Sequence, residues 1–501
     1  MTDELVTALQ ARLQARLIET HISWVLLGAA DVWKIKKPVR LPFLDFGTLE
    51  QRRRMCEEEL RLNRRLAPTL YLDVTPVTGS RPAPVLGGSG PAIEYALHMR
   101  RFPDGALLSE RLAAGTLAPA LIDRLARRLG DFHRLAPVAD RRSLYGTPAR
   151  IEGDVQNVLQ SLAGAGRPQA AALSAWADEQ AAKLWPVWAE RHDGGFVREV
   201  HGDLHLANTV VLGDEVTAFD CVEFDPGLRW IDVQADIAFL VMDLAARGRT
   251  DLAFRFLDHY LAVTGDHEGL AVLRHYVVYR ALVRAMVGVL SPAATGVPDY
   301  LSFALGWTRP PSPWLMITHG VSGSGKSYLA ERLLERLAAI RLRSDVERKR
   351  LHGLPADARS GSPLAGGLYD TDASQRTYRH LLKRAGTSLA AGWPVIVDAA
   401  FLEREQRESF RALAAHRQVP FLILHCEAPA PLLYARVRER QRQAGDPSEA
   451  DAAVLASQLA RDTTLHDDEQ PDVLRAGCEP AIDELAARCR DRLDAPALAV
   501  R

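Results

Sequence analysis

The sequence predicts two domains of different class, an α+β domain followed by an α/β domain with a parallel sheet. Three observations carry this. At 501 residues the chain exceeds what one hydrophobic core usually organises. Pro310, Pro311 and Pro313 in "WTRPPSPWLMITHG" cannot continue a helix, and an apolar run begins directly after them. The hydrophobic pattern also changes across that break. We therefore read a first domain over 1–308, a Pro-rich linker over 309–313 and a second domain over 314–501.

In the first domain short strand-like runs come early: "SWVLL" (Ser23–Leu27), "DVWKIKKPV" (Asp31–Val39) and "AIEYALHM" (Ala92–Met99). A charged helix, "LEQRRRMCEEELRLNRRLA" (Leu49–Ala67), lies between the second and third. After about residue 105 the pattern is mostly helical, broken around His201. A small sheet with one helix, followed by a larger helical region, is an α+β layout. Beyond Pro313 apolar strands alternate with helices: "WLMITHG", "SYLAERLLERLAAI", "GWPVIVDAAF", "ESFRALAAHR" and "PFLILHCEA". Such alternation is the pattern of a parallel sheet with crossover helices.

Composition narrows the function classes. The net charge of −1, with 47% hydrophobic and 25% charged residues, gives no global attraction to nucleic acid or an anionic membrane. Five scattered cysteines without a Cys-x-x-Cys pair argue against a disulfide framework or zinc site, and a reducing cytoplasm fits. The N-terminal run lacks the apolar core of a signal peptide, and "HYVVYRALVRAMVGVL" is interrupted by arginines, so no membrane partner is expected. Only seven of the 62 basic residues are lysine. Where arginine is the default cation, the retained lysines Lys34, Lys36, Lys37 and Lys326 draw attention, because a compact point charge does chemistry that a fork cannot.

"HGDLHLANTVVLGDEVTAFD" runs from His201 to Asp220. Its tail reads as a hairpin turning at Gly213–Asp214, which leaves the ordered His-Gly-Asp…Asn unexplained. Asp203, Asn208 and Asp220 can meet around a phosphate-bound Mg²⁺, an ion that takes oxygen ligands. A carboxylate is also needed to orient and deprotonate an attacking hydroxyl. The segment resembles the catalytic loop of aminoglycoside phosphotransferases and choline kinases, relatives of the protein kinases. The resemblance implies that Asp203 is the catalytic carboxylate, that Asn208 and Asp220 hold the metal, and that Asp236 in "DIAFL" is a structural partner of the loop. It also implies a lysine paired to a glutamate on the neighbouring helix. Lys34 and Lys36 share one strand face; Lys36 is the first choice, Lys34 the second. Glu59 is the expected partner, with Leu62 and Leu66 packing beside it, while Glu57 and Glu58 stay solvated. The turn "LLGAADVWK" has only Gly28, so the Gly-rich phosphate cover of protein kinases is missing.

"GVSGSGKS" (Gly320–Ser327) follows an apolar strand and opens an amphipathic helix, the context of a P-loop. Gly320, Gly323, Ser324 and Gly325 would wrap phosphates with backbone N–H groups, Lys326 would reach the β/γ-phosphates, and Ser327 the Mg²⁺. "RSDVERKR" places Asp345 and Arg348 three apart at the end of the second strand, an Asp-x-x-Arg that resembles polynucleotide kinases and zeta-toxin-like kinases. The resemblance implies that Asp345 is the base on the acceptor hydroxyl. Asp398 ends the next strand as a carboxylate able to hold metal-bound water or the acceptor, and it is counted among the metal-side residues. Arg436 and Arg440 look like lid arginines, although Arg438 and Arg442 flank them. Tyr369, Tyr378 and Arg379 are candidates for acceptor contact.

Together the two halves resemble a bacterial fusion family described as bifunctional aminoglycoside phosphotransferase/ATP-binding proteins of the AAA class. ATP and Mg²⁺ are the implied cofactors and a small-molecule hydroxyl the implied acceptor. A nucleic acid is not favoured, since few aromatics accompany the arginines. The alternative is one active kinase regulated by an ATP-sensing P-loop module.

Overall fold

The computed structural model describes residues 3–41, 44–290, 297–356, 358, 371–442, 450–461, 464–478 and 480–494. By internal contacts the chain forms two compact units, one from Met1–Asp154 and Trp188–Asp243, the other from Val155–Val187 and Leu244–Arg501. Each is considered by itself.

The first unit is built on a six-stranded antiparallel sheet in the order Arg16–Glu19, Ser23–Leu27, Asp31–Lys36, Glu94–Arg100, Tyr71–Ser80, Ala83–Leu86. The N-terminal helix Glu4–Leu13 is capped by Asp3 and buries Leu5, Val6 and Leu9 with Leu26, Ile35 and Val77. Each such leucine contributes about 2 kcal/mol by leaving water. The helix Leu49–Asn63 starts at a capping box made by Thr48 and Gln51. It buries Cys56, Glu59 and Leu62, while Leu66 is buried just beyond its end. This helix is four residues shorter than the charge pattern suggests, and the strand at Asp31 ends at Lys36 rather than Val39. The strand Tyr71–Ser80 has no strand signature in the sequence. Its Asp73, Pro76 and Gly79 are turn residues, yet it pairs on both sides with a bulge between Tyr71 and Asp73.

The second unit contains an all-parallel five-stranded sheet in the order Ile340–Arg343, Val395–Asp398, Leu315–His319, Phe421–Cys426, Val473–Ala476. Parallel strands require crossovers, here supplied by helices including Lys326–Leu337, Thr371–Ala390 and Arg404–Arg417. Leu315, Ile317, Val395, Val397 and Ile423 are fully buried on the sheet. The central strand has later strands on both sides, and a ligand site forms at the carboxyl end where the order switches. The helices Thr250–Thr264, Leu270–Leu290 and Tyr300–Trp307 belong to this unit, and Thr250–Thr264 packs on Lys326–Leu337 and the strand Ile340–Arg343. Among the described residues no helix is long and apolar enough to cross a membrane.

Candidate active sites

In the first unit the loop at His201 is fixed by a carboxylate beneath it. Asp236 accepts from the backbone N–H of His201 at 3.2 Å and of Gly202 at 2.8 Å, and its side chain also meets His133 at 3.0 Å. Gly202 has φ 87°, and a side chain there would strike the Leu228 carbonyl at 2.7 Å, so only glycine turns the chain at this point. Asn208, in a 3₁₀ turn, donates to both the backbone oxygen and Oδ2 of Asp203 at 3.0 Å. His205 Nε2 lies 3.4 Å from Asp203 Oδ2. Asp220 adopts the left-handed conformation, φ 64°, held by its N–H donating to Tyr71 Oη at 3.0 Å.

Two lysines meet one glutamate here. Lys34 Nζ donates to Glu59 Oε1 and to Asp220 Oδ1, both at 2.7 Å. Lys36 pairs with Glu59 Oε2 and with Glu223, and is 0% exposed. The shared strand face is as the alternation indicates, but the lysine that reaches Asp220 is Lys34. Lys36, the first choice for facing a nucleotide, is enclosed behind it because Glu223 offers it a second carboxylate. Burial raises the Asp220 pKa, yet Lys34 overrides this and holds the carboxyl below its usual range; the side chain is 42% exposed, so the ion pair outweighs desolvation. Burial opposes the Lys34 charge, but Asp220, Glu59 and Glu223 raise its pKa well above the ordinary value. Glu57 is exposed as expected, whereas Glu58 is half-buried, paired with Arg61 at 2.7 Å and with the buried Arg229 at 2.8 Å. Tyr71, Glu223 and Asn63, whose Oδ1 accepts from the Cys221 N–H at 2.9 Å, complete the site. Only Glu223, three residues after Asp220, carried a local signal.

In the second unit the loop Gly320–Gly325 turns through φ values of 142°, 82° and 96° at its three glycines. A side chain at Gly320 would meet the Cys426 carbonyl at 2.3 Å, and one at Gly323 the Leu433 carbonyl at 2.8 Å. Lys326 Nζ donates to Val321 O at 2.7 Å, and Ser324 Oγ stands 3.5 Å from it. Burial lowers the Lys326 pKa below its ordinary value, and the charges of Asp398 and Asp345 do not make up the loss. Ser327 Oγ donates to Asp398 Oδ1 at 3.1 Å.

A cavity of about 470 Å³ opens over this loop, and Lys326, Ser327, Asp398, Asp345, Arg348 and Tyr378 all line it. Asp345 and Arg348, 3.2 Å apart, lie on the helix Ser344–Leu351 just after the second strand rather than at its end. On the helix Ala430–Arg442, Arg436 and Arg440 line the cavity while Arg438 and Arg442 are exposed. Arg436 Nη1 lies 3.5 Å from Gly323 O. Tyr378 Oη accepts from the Phe401 N–H at 3.1 Å, and burial pushes its phenol up to about 12. Arg379 is exposed and does not line the cavity, and Tyr369 lies outside the described residues. Gln458, whose Oε1 accepts from the Ser322 N–H at 2.7 Å, had no motif to mark it.

Residues 39–276 match the model of the phosphotransferase enzyme family, and residues 315–465 match an AAA domain. The chain is thus a fusion of an aminoglycoside-phosphotransferase-type domain and a P-loop kinase-like domain, an ATP-dependent kinase by class. Two relatives, the uncharacterized protein Rv2004c of Mycobacterium tuberculosis and Mb2027c of Mycobacterium bovis, are each 30% identical over 469 residues, 88% of this chain and 89% of theirs. The chain belongs to their family. Similar solved structures include a choline kinase from Cryptosporidium parvum, 10% identical over 60% of this chain and 88% of its own, TM-score 0.36. A sugar kinase from Janibacter is 24% identical over 38% of this chain and 100% of its own, TM-score 0.29.

Kinases of these families use ATP with a divalent metal, and the residues present suit that pair. The three-glycine turn leaves room only for backbone beside the phosphate loop. Ser327 with Asp398, and Asn208 with Asp220, offer the oxygen donors that Mg²⁺ takes.

Proposed function

We propose that the chain transfers the γ-phosphoryl group of MgATP to hydroxyl groups of small molecules at two separate sites. One observation carries this reading: in the second unit a single cavity is lined by both the phosphate-side groups Lys326 and Ser327 and the acceptor-side pair Asp345–Arg348. A nucleotide sensor needs the first set only. At the second site Asp345 accepts the acceptor's proton, Arg348 orients Asp345, and Arg436 and Arg440 neutralise charge on the phosphoryl group in transit. Gly320, Gly323, Ser324 and Gly325 shape the phosphate cradle, and Asp398 with Ser327 forms the metal side.

At the first site Asp203 takes the acceptor proton, with Asn208 fixing its carboxylate, and Asn208 and Asp220 provide the metal-side oxygens. Lys34 is the phosphate-side lysine. Lys36 positions Glu59 behind it. Mg²⁺ held by Asn208 and Asp220 would supply charge neutralisation for the phosphoryl group being transferred. A polynucleotide acceptor is not favoured at either site.

The test is ATP turnover by the wild type, Asp203→Asn and Lys326→Ala, with and without a panel of sugars, nucleosides, aminoglycosides and 5′-hydroxyl oligonucleotides. The expected result is that each variant removes a different acceptor-stimulated activity, by about 10²–10⁴-fold for Asp203→Asn. If one substitution silences all turnover and no acceptor stimulates, the two-kinase reading is wrong and a regulated single engine replaces it.

A further inference from the structure

We propose that the helix Thr250–Thr264, which lies within the segment matching the phosphotransferase family, is a working part of the P-loop site. It positions the metal-side carboxylate through Arg341 and the base-bearing helix through Arg350. The inference rests on the reading of the second cavity as a MgATP site.

Arg341 sits on the strand Ile340–Arg343 with its side chain 1% exposed. Its Nε and Nη2 grip Asp258 of the upstream helix at 3.0 and 2.6 Å. Its remaining nitrogen, Nη1, donates to the backbone oxygen of Ser327 at 3.2 Å and stands 4.0 Å from Asp398 Oδ2 and 3.9 Å from Glu331. A buried guanidinium seeks a carboxylate wherever one is in reach. Asp258 satisfies that demand from outside the P-loop fold. Asp398 Oδ2 is thereby left with only long contacts, 3.8 Å to Arg343 Nε and 4.0 Å to Arg341 Nη1, while its Oδ1 accepts from the Ser327 hydroxyl. Without Asp258, Asp398 is the nearest buried carboxylate to an uncompensated arginine, and pairing with it withdraws an oxygen from the metal side.

The other end of the same helix holds the acceptor side. Arg350, on the same helix as Asp345 and Arg348, donates Nη2 to Leu261 O at 3.2 Å and Ala262 O at 2.6 Å. Both carbonyls belong to the last helical turn, which attracts cations, and Leu261 O also accepts from the Gly265 N–H at 2.8 Å. The helix ends in a left-handed Gly265, where any side chain would come within 2.6 Å of Arg350. One helix thus sets the relative placement of metal-side and base-side groups. By linkage, nucleotide occupancy of the second site and the placement of this helix bias each other.

The experiment is calorimetric binding of AMP-PNP to the full chain, with Mg²⁺ and in EDTA, for wild type, Lys326→Ala and Asp258→Asn. Asp258→Glu, which keeps the charge and displaces it by one methylene, serves if the amide variant does not fold. Asp258→Asn should weaken binding at the second site about tenfold with Mg²⁺, as loss of outer-sphere support for a metal typically does, and leave binding in EDTA unchanged. Wild-type affinity with Mg²⁺, or equal losses with and without Mg²⁺, overturns the proposal, the second outcome marking Asp258 as merely structural. If instead Lys326→Ala leaves both binding events intact, the underlying reading of the cavity falls, and Asp258 is not what failed.

Discussion

The two lysines proposed to face phosphate, Lys34 and Lys326, sit in opposite surroundings. Lys34 touches two carboxylates, Glu59 and Asp220, whereas Lys326 donates to a backbone carbonyl, Val321 O. The first site holds its cation with charge delivered from a distant helix and a distant loop. The second holds it with the geometry of its own contiguous loop. A carboxylate cage makes a charged site that is part of the folding core, so its members are coupled in stability. A backbone cradle leaves the lysine replaceable without damage to the fold, at the cost of strict glycine positions.

That contrast fails most visibly if the cages are broken. Glu59 is fully buried between two lysines, and its removal leaves buried positive charge short of a partner. Glu59→Ala should destabilise the first unit by about 3–5 kcal/mol, read as an earlier transition in urea unfolding. Lys326→Ala should destabilise the second unit far less, because its removal leaves no buried carboxylate without a partner and it donates only to Val321 O and Ser324. Equal losses would show that the P-loop lysine is as structural as the kinase pair.

A smaller effect tests the lid. Arg436 faces the P-loop and Arg438, two residues on, faces solvent. Arg436→Ala should lower kcat at the second site by about 10²-fold, the scale of losing one donor to transition-state charge, and Arg438→Ala should leave it unchanged. Steady-state kinetics with a responding acceptor decides this. Matching losses would assign the helix to folding rather than to the phosphoryl group.

The same local-versus-distant contrast explains what the sequence made legible. The P-loop was complete in eight consecutive letters, and its strand and helix flanks were adjacent, so its place in the fold could be read at once. Asp203, Asn208 and Asp236 were legible because one loop and the helix after it carry them. Lys34 and Lys36 could not be separated, since both point to one face, and the choice is made by Glu223 and Asp220 nearly two hundred residues later. Helical phase alone did not select Arg436 and Arg440 from four arginines; packing of Leu433 and Val437 did. The strand Tyr71–Ser80 was hidden by Pro76 and Gly79, and Asp258 by an unremarkable place on a helix far upstream of its partner. Periodicity reports which face is buried, not which distant residue it meets.

The gentlest probe of the comparison is alkaline pH. A lysine holds phosphate only while protonated. Burial lowers the Lys326 pKa, so its proton leaves earlier as pH rises, while the carboxylates around Lys34 raise that pKa and delay the loss. For folding the signs also part. Lys34 contributes stability that is fully present below the ordinary lysine value of about 10.4 and is lost only as pH climbs through its raised folded value. Lys326 carries a cost below that ordinary value, which fades as pH rises through its lowered folded value toward it. Binding of Mg–AMP-PNP from pH 7 to 10 should therefore weaken at a lower pH in Lys34→Ala, which retains the second site, than in Lys326→Ala, which retains the first. The bound phosphate itself favours the protonated lysine, so the separation should stay within about tenfold in affinity, or roughly one pKa unit. The reverse order would mean that Lys326 gains more from Asp398 and Asp345 than it loses by burial, and that the two sites hold their cations by the same means after all.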